Sequence, residues 1–427
     1  MLFPITYGIN GAGHMEVGGC DLLDLAHAHG TPLYVYDEAT VRQRASEYVA
    51  AIGSAGQVLY SAKAFASPQF LRVIADEGLG LDVVSAGELH LALKSGFPRV
   101  GIHFLGNNKS REDLEGACAA GAIIVIDGSY EFEMLRDIVP EGKRIPVMLR
   151  LSPGVKPDTH EHISTGQLDS KFGFSIESGA ARRAIEQALE HPRLELIGLH
   201  SHIGSQILIL RPYADAMAIM LDLLVELRDG LGYEPQKLGA GGGLGIAYTR
   251  DDDPPTPRQF VETVRHALTS GCASRGLKVP DLVVEPGRSI AGPAGMALYT
   301  VGSIKEIPGV RRYVAVDGGM GDNIRPKLYG ARYEAFLASD PERASDGKVT
   351  IAGKYCESTD ILITDIEMPE LKAGDVIALP AAGAYCLAMA SNYNGIPRPE
   401  VLMLRDGEAH VMRRRETLDD LIAAEVF

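Results

Sequence analysis

The sequence predicts an α/β protein built as a (β/α)8 TIM-like barrel with a second, mainly β domain of sandwich- or barrel-like type. Three observations predict it. Eight apolar runs of strand length alternate with helical patterns between residues 58 and 285. Helix start and stop signals punctuate the stretches between them. Past residue 293 the helical period gives way to short strand patterns and a hairpin turn. Repeated strand-helix-strand units imply parallel strands with right-handed crossovers, and eight of them can close on themselves. A doubly wound open sheet is the alternative, which the count of eight disfavours.

In order, the strands are expected at 58–63, 81–84, 102–105, 123–126, 146–151, 197–202, 238–241 and 282–285. Ser67-Pro68 opens a helix as cap and first-turn proline, and Gly78 closes it. Ser85 with Glu88 and Thr256 with Gln259 have capping-box spacing, in which the hydroxyl accepts from the amide three residues on and the acid or amide reaches back. Pro212 precedes a long amphipathic run, 213–228, expected to end at Gly230. Segment 152–175 is polar, rich in Gly, Pro and His, and too long for an ordinary connection, which suits a functional loop. Beyond the barrel, strands are expected at 312–316, 349–352, 361–364 and 376–379, with a hairpin joining 401–404 to 410–413 through Arg405-Asp406-Gly407-Glu408. The expected domains are 33–293 for the barrel, with 1–32 and 294–427 forming the β domain.

Composition bounds the function. The 427 residues are 46% hydrophobic and 23% charged, as in a soluble globular protein. A formal net charge of -15 argues against nucleic acid or an anionic membrane as partner and favours small molecules. The start has no basic region followed by an apolar core, and no later run is long and apolar enough to span a bilayer, so a cytoplasmic location is expected. Five scattered cysteines, none in a Cys-x-x-Cys pair, suit reduced thiols.

In such a barrel the chemistry sits at the carboxyl ends of the strands. The first end delivers Lys63 after Val58-Leu59-Tyr60-Ser61-Ala62. The sixth gives His200-Ser201-His202-Ile203-Gly204-Ser205, the seventh Gly241-Gly242-Gly243, and the eighth Glu285-Pro286-Gly287-Arg288. Taken singly, a surface lysine, a tight turn, a core histidine and a structural ion pair would account for them. Together they describe an amine opposite a glycine-lined anion site, which suits an aldehyde-bearing phosphate cofactor, pyridoxal 5'-phosphate. A metal reading rests on His200 and His202, and on His160 and His162, each two apart. Barrel amidohydrolases place such a pair on the first strand and the lysine later, the reverse of this order.

Longer motifs carry a resemblance over nearly the whole chain. They are Tyr60-Ser61-Ala62-Lys63-Ala64, Gly106-Asn107-Asn108-Lys109-Ser110, His162-Ile163-Ser164-Thr165-Gly166 with Asp169-Ser170-Lys171-Phe172-Gly173, His202-Ile203-Gly204-Ser205-Gln206, Gly241-Gly242-Gly243-Leu244-Gly245, Glu285-Pro286-Gly287-Arg288, Asp317-Gly318-Gly319-Met320, Arg325-Pro326, Cys356-Glu357-Ser358 and Ser391-Asn392-Tyr393-Asn394. By these the chain resembles the alanine-racemase-like, fold-type III family of pyridoxal-phosphate decarboxylases. The resemblance implies that Lys63 carries the cofactor as a Schiff base, His202 stacks on its ring and Glu285 meets the ring nitrogen. It implies that Ser205, Gly241, Gly242, Gly243, Gly287 and Arg288, with Tyr385, hold the phosphate. It also implies a homodimer in which Cys356, the proton donor, and Glu357 of one subunit complete the site of the other.

The activity implied is decarboxylation of meso-2,6-diaminopimelate to L-lysine and carbon dioxide, with a decarboxylase of ornithine, arginine or another modified amino acid as the alternative. Charge favours the first. A diamine precursor presents only a cation at its far end, whereas diaminopimelate presents an ammonium and a carboxylate there. Arg288, Arg325 and Tyr329, with Tyr385, can take the carboxylate and Glu357 the ammonium. The chain departs from the family's pattern at Phe65 and Gly321, where asparagine is usual, at Ser201, where cysteine is common, and at Thr359, where glycine is common.

Overall fold

The computed structural model describes residues 1–99, 101–155 and 171–427. It divides into two compact units, one of Arg44–Gly245 with Pro254–Ser289, the other of Met1–Gln43, Ile246–Asp253 and Ile290–Phe427.

The first unit is the expected barrel. Its strands are β1 (Gly56–Ser61), β2 (Gly80–Val83), β3 (Ile102–Phe104), β4 (Ile123–Ile126), β5 (Ile145–Ser152), β6 (Leu194–Ser201), β7 (Lys237–Gly241) and β8 (Asp281–Val284). All pair in parallel, and the ring closes between β4 and β5 at Ile124↔Val147, Val125↔Met148 and Ile126↔Leu149. Several strands stop one or two residues short of the expected ends, which places Lys63, His202 and Glu285 just beyond β1, β6 and β8. Strand pairing ends where the backbone must turn to present a side chain at the mouth. The expected loop 152–175 lies for the most part outside the described residues; its end, Phe174–Ser175, runs parallel to β5.

The helix signals act as local chemistry dictates. Ser67 caps Pro68–Asp76, accepting from the Phe70 amide, and Gly78 follows at a φ of +80°. Thr256 and Gln259 form the reciprocal box of Pro257–Arg275. At Ser85 the box is not reciprocal: Ser85 accepts from Glu88, but the Glu88 carboxylate takes the Val84 amide at 2.9 Å, one residue before the cap. The long helix, Arg211–Leu231, runs through Gly230 and ends on Gly232, which adopts the left-handed conformation. The amides of Gly232 and Tyr233 close the last turn on the carbonyls of Arg228 and Leu227, a role Gly230 would fill only by shortening the helix.

A buried ion pair joins the mouth ends of β3 and β4. The Lys109 amine donates to the carbonyls of Gly106 and Val125, each at 2.7 Å, and to Glu131 Oε2 at 2.8 Å. Glu131 Oε1 in turn accepts from the amides of Asp127 and Gly128. Every charge is met, which makes burial tolerable.

The second unit is mainly β and mixed in direction. Its largest sheet runs Ile361–Met368, Gly347–Ala352, Arg311–Val316, Gly295–Ile307, Leu33–Asp37, Glu400–Arg405, Glu408–Arg413. The expected hairpin closes on Asp406 and Gly407, both at positive φ, as a two-residue turn requires. The described residues contain no helix long and apolar enough to cross a membrane.

Replacing Lys109 by alanine should destabilise the barrel by about 3–5 kcal/mol, because Glu131 is left buried and unpaired. Denaturant unfolding would read this as a lowered midpoint, and the double replacement Lys109→Met with Glu131→Leu should recover most of the loss.

Candidate active site

The barrel mouth is organised by polar residues on neighbouring strands. Ser61, Asp82 and His103 are register partners on β1, β2 and β3, and Arg150 and His200 are partners on β5 and β6. All are buried. Gly239 on β7 lies beside His200, where a Cβ would come within 2.8 Å of the imidazole Cδ2. The missing side chain is what lets the ring enter the layer.

Glu285 is the centre of this layer. It is buried, and its Oε2 lies 2.9 Å from His200 Nε2. Burial alone would push the carboxyl up; the charge and hydrogen bond of His200, with the Lys63 amine, overcome this and hold it below the ordinary range. Among the described residues His200 Nδ1 is buried without a partner, so the proton shared with Glu285 is placed on Nε2. Glu285 therefore pairs with His200, while Arg288 donates to Ser205 Oγ at 2.9 Å.

A second carboxylate behaves oppositely. Burial, then repulsion from Glu285, raises Asp82 to about 6 although Ser61 Oγ donates to it at 2.7 Å. Burial also pushes Glu88 up to about 7, helped by Asp82 and opposed by the Val84 amide and Lys63. His103 is pushed down to about 4, mainly by burial, and its Nε2 is buried without a partner. His202 is held well below its ordinary value by burial, with Lys63 and Arg150 adding to it. Its Nδ1 accepts from the Gly242 amide at 3.2 Å, which leaves the proton on Nε2.

Lys63 sits in the 3-10 turn Ala62–Ala64 that follows β1. Its side chain is exposed in the single chain. The glycine loop beside it is bare backbone by necessity. A Cβ at Gly242 would overlap the Glu285 carbonyl, and one at Gly243, with a φ of +94°, would overlap that of Gly204. Gly287 is closely flanked by Ser61 and Ala64, 3.0 Å from a built Cβ. Exposed amine, glycine cradle, Ser205 hydroxyl, Arg288 guanidinium and ionised Glu285 fit an aldehyde, a phosphate and a protonated ring nitrogen respectively.

The remaining expected residues lie in the β unit. Arg325, buried on the turn Arg325–Tyr329, donates to the Tyr333 hydroxyl and has its guanidinium 4.5 Å from the Tyr248 ring centroid. Cys386 Sγ approaches Tyr333 Oη and Asn323 Oδ1, each at 3.4 Å, and anchors the chain beside Tyr385, which has a φ of +64°. Tyr329 Oη reaches Met389 Sδ at 3.8 Å. Cys356 is exposed, and Glu357 Oε1 accepts from the Thr359 amide at 3.3 Å. His160 and His162, with most of the motif after them, fall outside the described residues.

Sequence reasoning missed Asp82, His103, Arg150 and Glu88, and in the β unit Tyr248, Tyr333, Asn323 and Cys386. The first three carried a signal, since each is a polar residue near the end of an apolar strand. The others have no such signal, since none stands at the end of an apolar strand.

Comparison with known proteins adds a family. A family described as "Pyridoxal-dependent decarboxylase, pyridoxal binding domain" matches residues 38–292. Diaminopimelate decarboxylase of Bacillus subtilis is 49% identical over 422 residues, covering 98% of this chain and 96% of that protein. The crystal structure of diaminopimelate decarboxylase from M. jannaschii in co-complex with L-lysine superposes with a TM-score of 0.92 at 35% identity, over 100% of this chain and 99% of that one. The Helicobacter pylori enzyme complexed with L-lysine gives 0.85 at 31% identity, over 94% and 98%.

The raised Glu88 predicts a pH signature. A carboxyl raised from the ordinary 4.5 to about 7 in the folded state binds its proton more tightly there than in the unfolded chain. Its contribution to stability is complete below about 4.5 and is lost as pH rises through about 7. Glu88→Gln should flatten the fall in unfolding midpoint across that window and leave the acid side little changed.

Proposed function

The chain belongs to the pyridoxal-dependent decarboxylases, and from that premise we propose that it converts meso-2,6-diaminopimelate to L-lysine and carbon dioxide, the last step of lysine biosynthesis. The observation that carries the reading is the near-full-length identity with the Bacillus subtilis enzyme of that name. The chemistry of the barrel mouth supports it.

Lys63 would hold pyridoxal phosphate through its amine and yield it to the amine of the substrate. Ser205, the amides of Gly241, Gly242, Gly243 and Gly287, and Arg288 would take the phosphate, with Tyr385 of the β unit. Bound there, the cofactor supplies a sink for the electron pair left when carbon dioxide departs. Glu285, held low although buried, would keep a proton on the ring nitrogen, and His202, held below its ordinary value, would offer an uncharged face for stacking. His200 holds the Glu285 carboxylate in place and in its charged state.

The far end of the substrate carries both an ammonium and a carboxylate. Glu357 would bind the first; Arg325, Tyr329, Arg288 and Tyr385 the second. Cys356 would deliver the proton that replaces the lost carboxylate. The active form is proposed as a homodimer in which Cys356 and Glu357 of one subunit serve the site of the other, acting on a small amino acid in the cytoplasm, with no nucleic acid or membrane partner.

Carbon dioxide release should be rapid from meso-2,6-diaminopimelate and at least about 1.4 kcal/mol, or tenfold in kcat/KM, poorer from ornithine, arginine and lysine. Release from ornithine or arginine but not from diaminopimelate would overturn the substrate assignment. Lys63→Ala should abolish borohydride fixation of the cofactor to the protein and lower turnover by several orders of magnitude; a fixed adduct surviving in that variant would remove Lys63 from its role.

A further inference from the structure

The loop that presents Cys356 joins Gly347–Ala352 to Ile361–Met368, and it is clasped from two sides. Asp360 is buried and spans the loop: its carboxylate accepts from the amides of Met320 at 2.7 Å and Tyr355 at 2.9 Å. The Asp360 carbonyl also accepts from the Gly353 amide, at 3.0 Å. The Tyr355 ring fills the space over Gly321, where any Cβ would overlap it, and stands nearly parallel to Tyr393 at 6.2 Å. That explains the absence of asparagine at 321: the space belongs to Tyr355. The segment bearing Tyr393 is tied back by the Ser391 amide, which donates to the Gly321 carbonyl at 2.8 Å.

These contacts shape the loop, but only one of the hydrogen bonds among them falls on Cys356 itself. Its amide donates to Asn394 Oδ1 at 2.9 Å. Asn394 has a φ of +56°, a left-handed conformation that asparagine tolerates better than most residues. The thiol is exposed in the single chain, and the direction of its Cα–Cβ bond follows the backbone that Asn394 holds.

We propose that Asn394 is a positioning residue for the proton-delivery step, aiming the Cys356 thiol through its backbone amide. The proposal rests on the assignment of Cys356 as donor. The carbon that loses carbon dioxide keeps the bonding pair; the proton from Sγ completes a new C–H bond, and the thiolate recovers a proton from water. A donor displaced by about 1 Å costs on the order of a hundredfold in such a step.

The test uses the cofactor-loaded enzyme in deuterium oxide, with meso-2,6-diaminopimelate as substrate, following kcat, KM and the configuration of deuterium at the new C–H centre of L-lysine. Asn394→Gly keeps the left-handed backbone and removes the acceptor; Asn394→Asp keeps both. The glycine variant should lose about ten- to a hundredfold in kcat with KM and bound cofactor unchanged, and the label should lose its single configuration. The aspartate variant should restore both. Cys356→Ala separates the two readings. If it scrambles the label while Asn394→Gly keeps single configuration, the donor stands and the positioning role is overturned, even where the glycine variant is slow. If Cys356→Ala retains rate and configuration, the donor assignment falls and the proposal falls with it.

Discussion

A carboxylate that stays ionised inside the barrel is the constraint on which the rest of the mouth depends. Glu285 is almost wholly removed from water, and a lone carboxylate there would take up a proton. The imidazole of His200 at 2.9 Å reverses that tendency, with the Lys63 amine adding to it. The consequence spreads outward. His200 needs space inside the sheet, so its neighbour on β7 is Gly239. The Glu285 carbonyl, in turn, leaves no room for a side chain at Gly242. A requirement on one charge has thus fixed the identity of residues on two strands, His200 on β6 and Gly239 on β7.

The same charge explains why a second carboxylate nearby is unlike it. Asp82 and Glu285 share the neighbourhood of Ser61 and Lys63, yet one is raised to about 6 and the other lowered. Two buried carboxylates near each other cannot both ionise at low cost, so their proton affinities separate. Glu285 has the imidazole and wins. Asp82, with only a hydroxyl donor, becomes the readier proton acceptor of the two. Glu88 continues the gradient toward the half-buried edge. The mouth therefore holds a set of carboxyls ordered by the partners each has, with Glu285 held lowest by His200.

Much of this was legible in the sequence, for reasons specific to the residues. All eight strands were found, because buried parallel strands are near-continuous apolar runs and their helices carry Ser, Thr, Pro and Gly at fixed offsets. Lys63, Glu285 and the glycine loop stood out since each breaks an apolar pattern at a predictable place. What escaped was set by competition between neighbouring groups or by partners far away in the chain. The Ser85 box failed because the Val84 amide competes for Glu88, and Gly230 was passed over because Gly232, in the left-handed conformation, closes the helix two residues later. Residues 33–37 were expected to open the barrel domain, yet the strand Leu33–Asp37 hydrogen-bonds to Gly295–Ile307 and Glu400–Arg405, more than 250 residues on. Arg325 looked like a free recognition charge; its burial against Tyr248 and Tyr333 has no local signature.

The two kinds of group also call for different supports. Electrostatic work depends steeply on distance and on excluded water, so Glu285, His200 and Asp82 are on or just beyond strands whose backbone is fixed by the barrel's own ladder. Proton delivery by a thiol needs an approach from the right direction and an open path to water for reprotonation. Cys356, proposed as that donor, lies on a loop and is exposed in the single chain, where no ladder can hold it. The chain compensates with side-chain acceptors, Asp360 and Asn394, that stand in for a neighbouring strand by taking backbone amides. Gly321 belongs to this arrangement, since the ring that braces the loop occupies the place a side chain there would need. A departure from the family's usual residue is then part of how this chain builds its loop, and the bracing ring is what a change back to asparagine at 321 would have to displace.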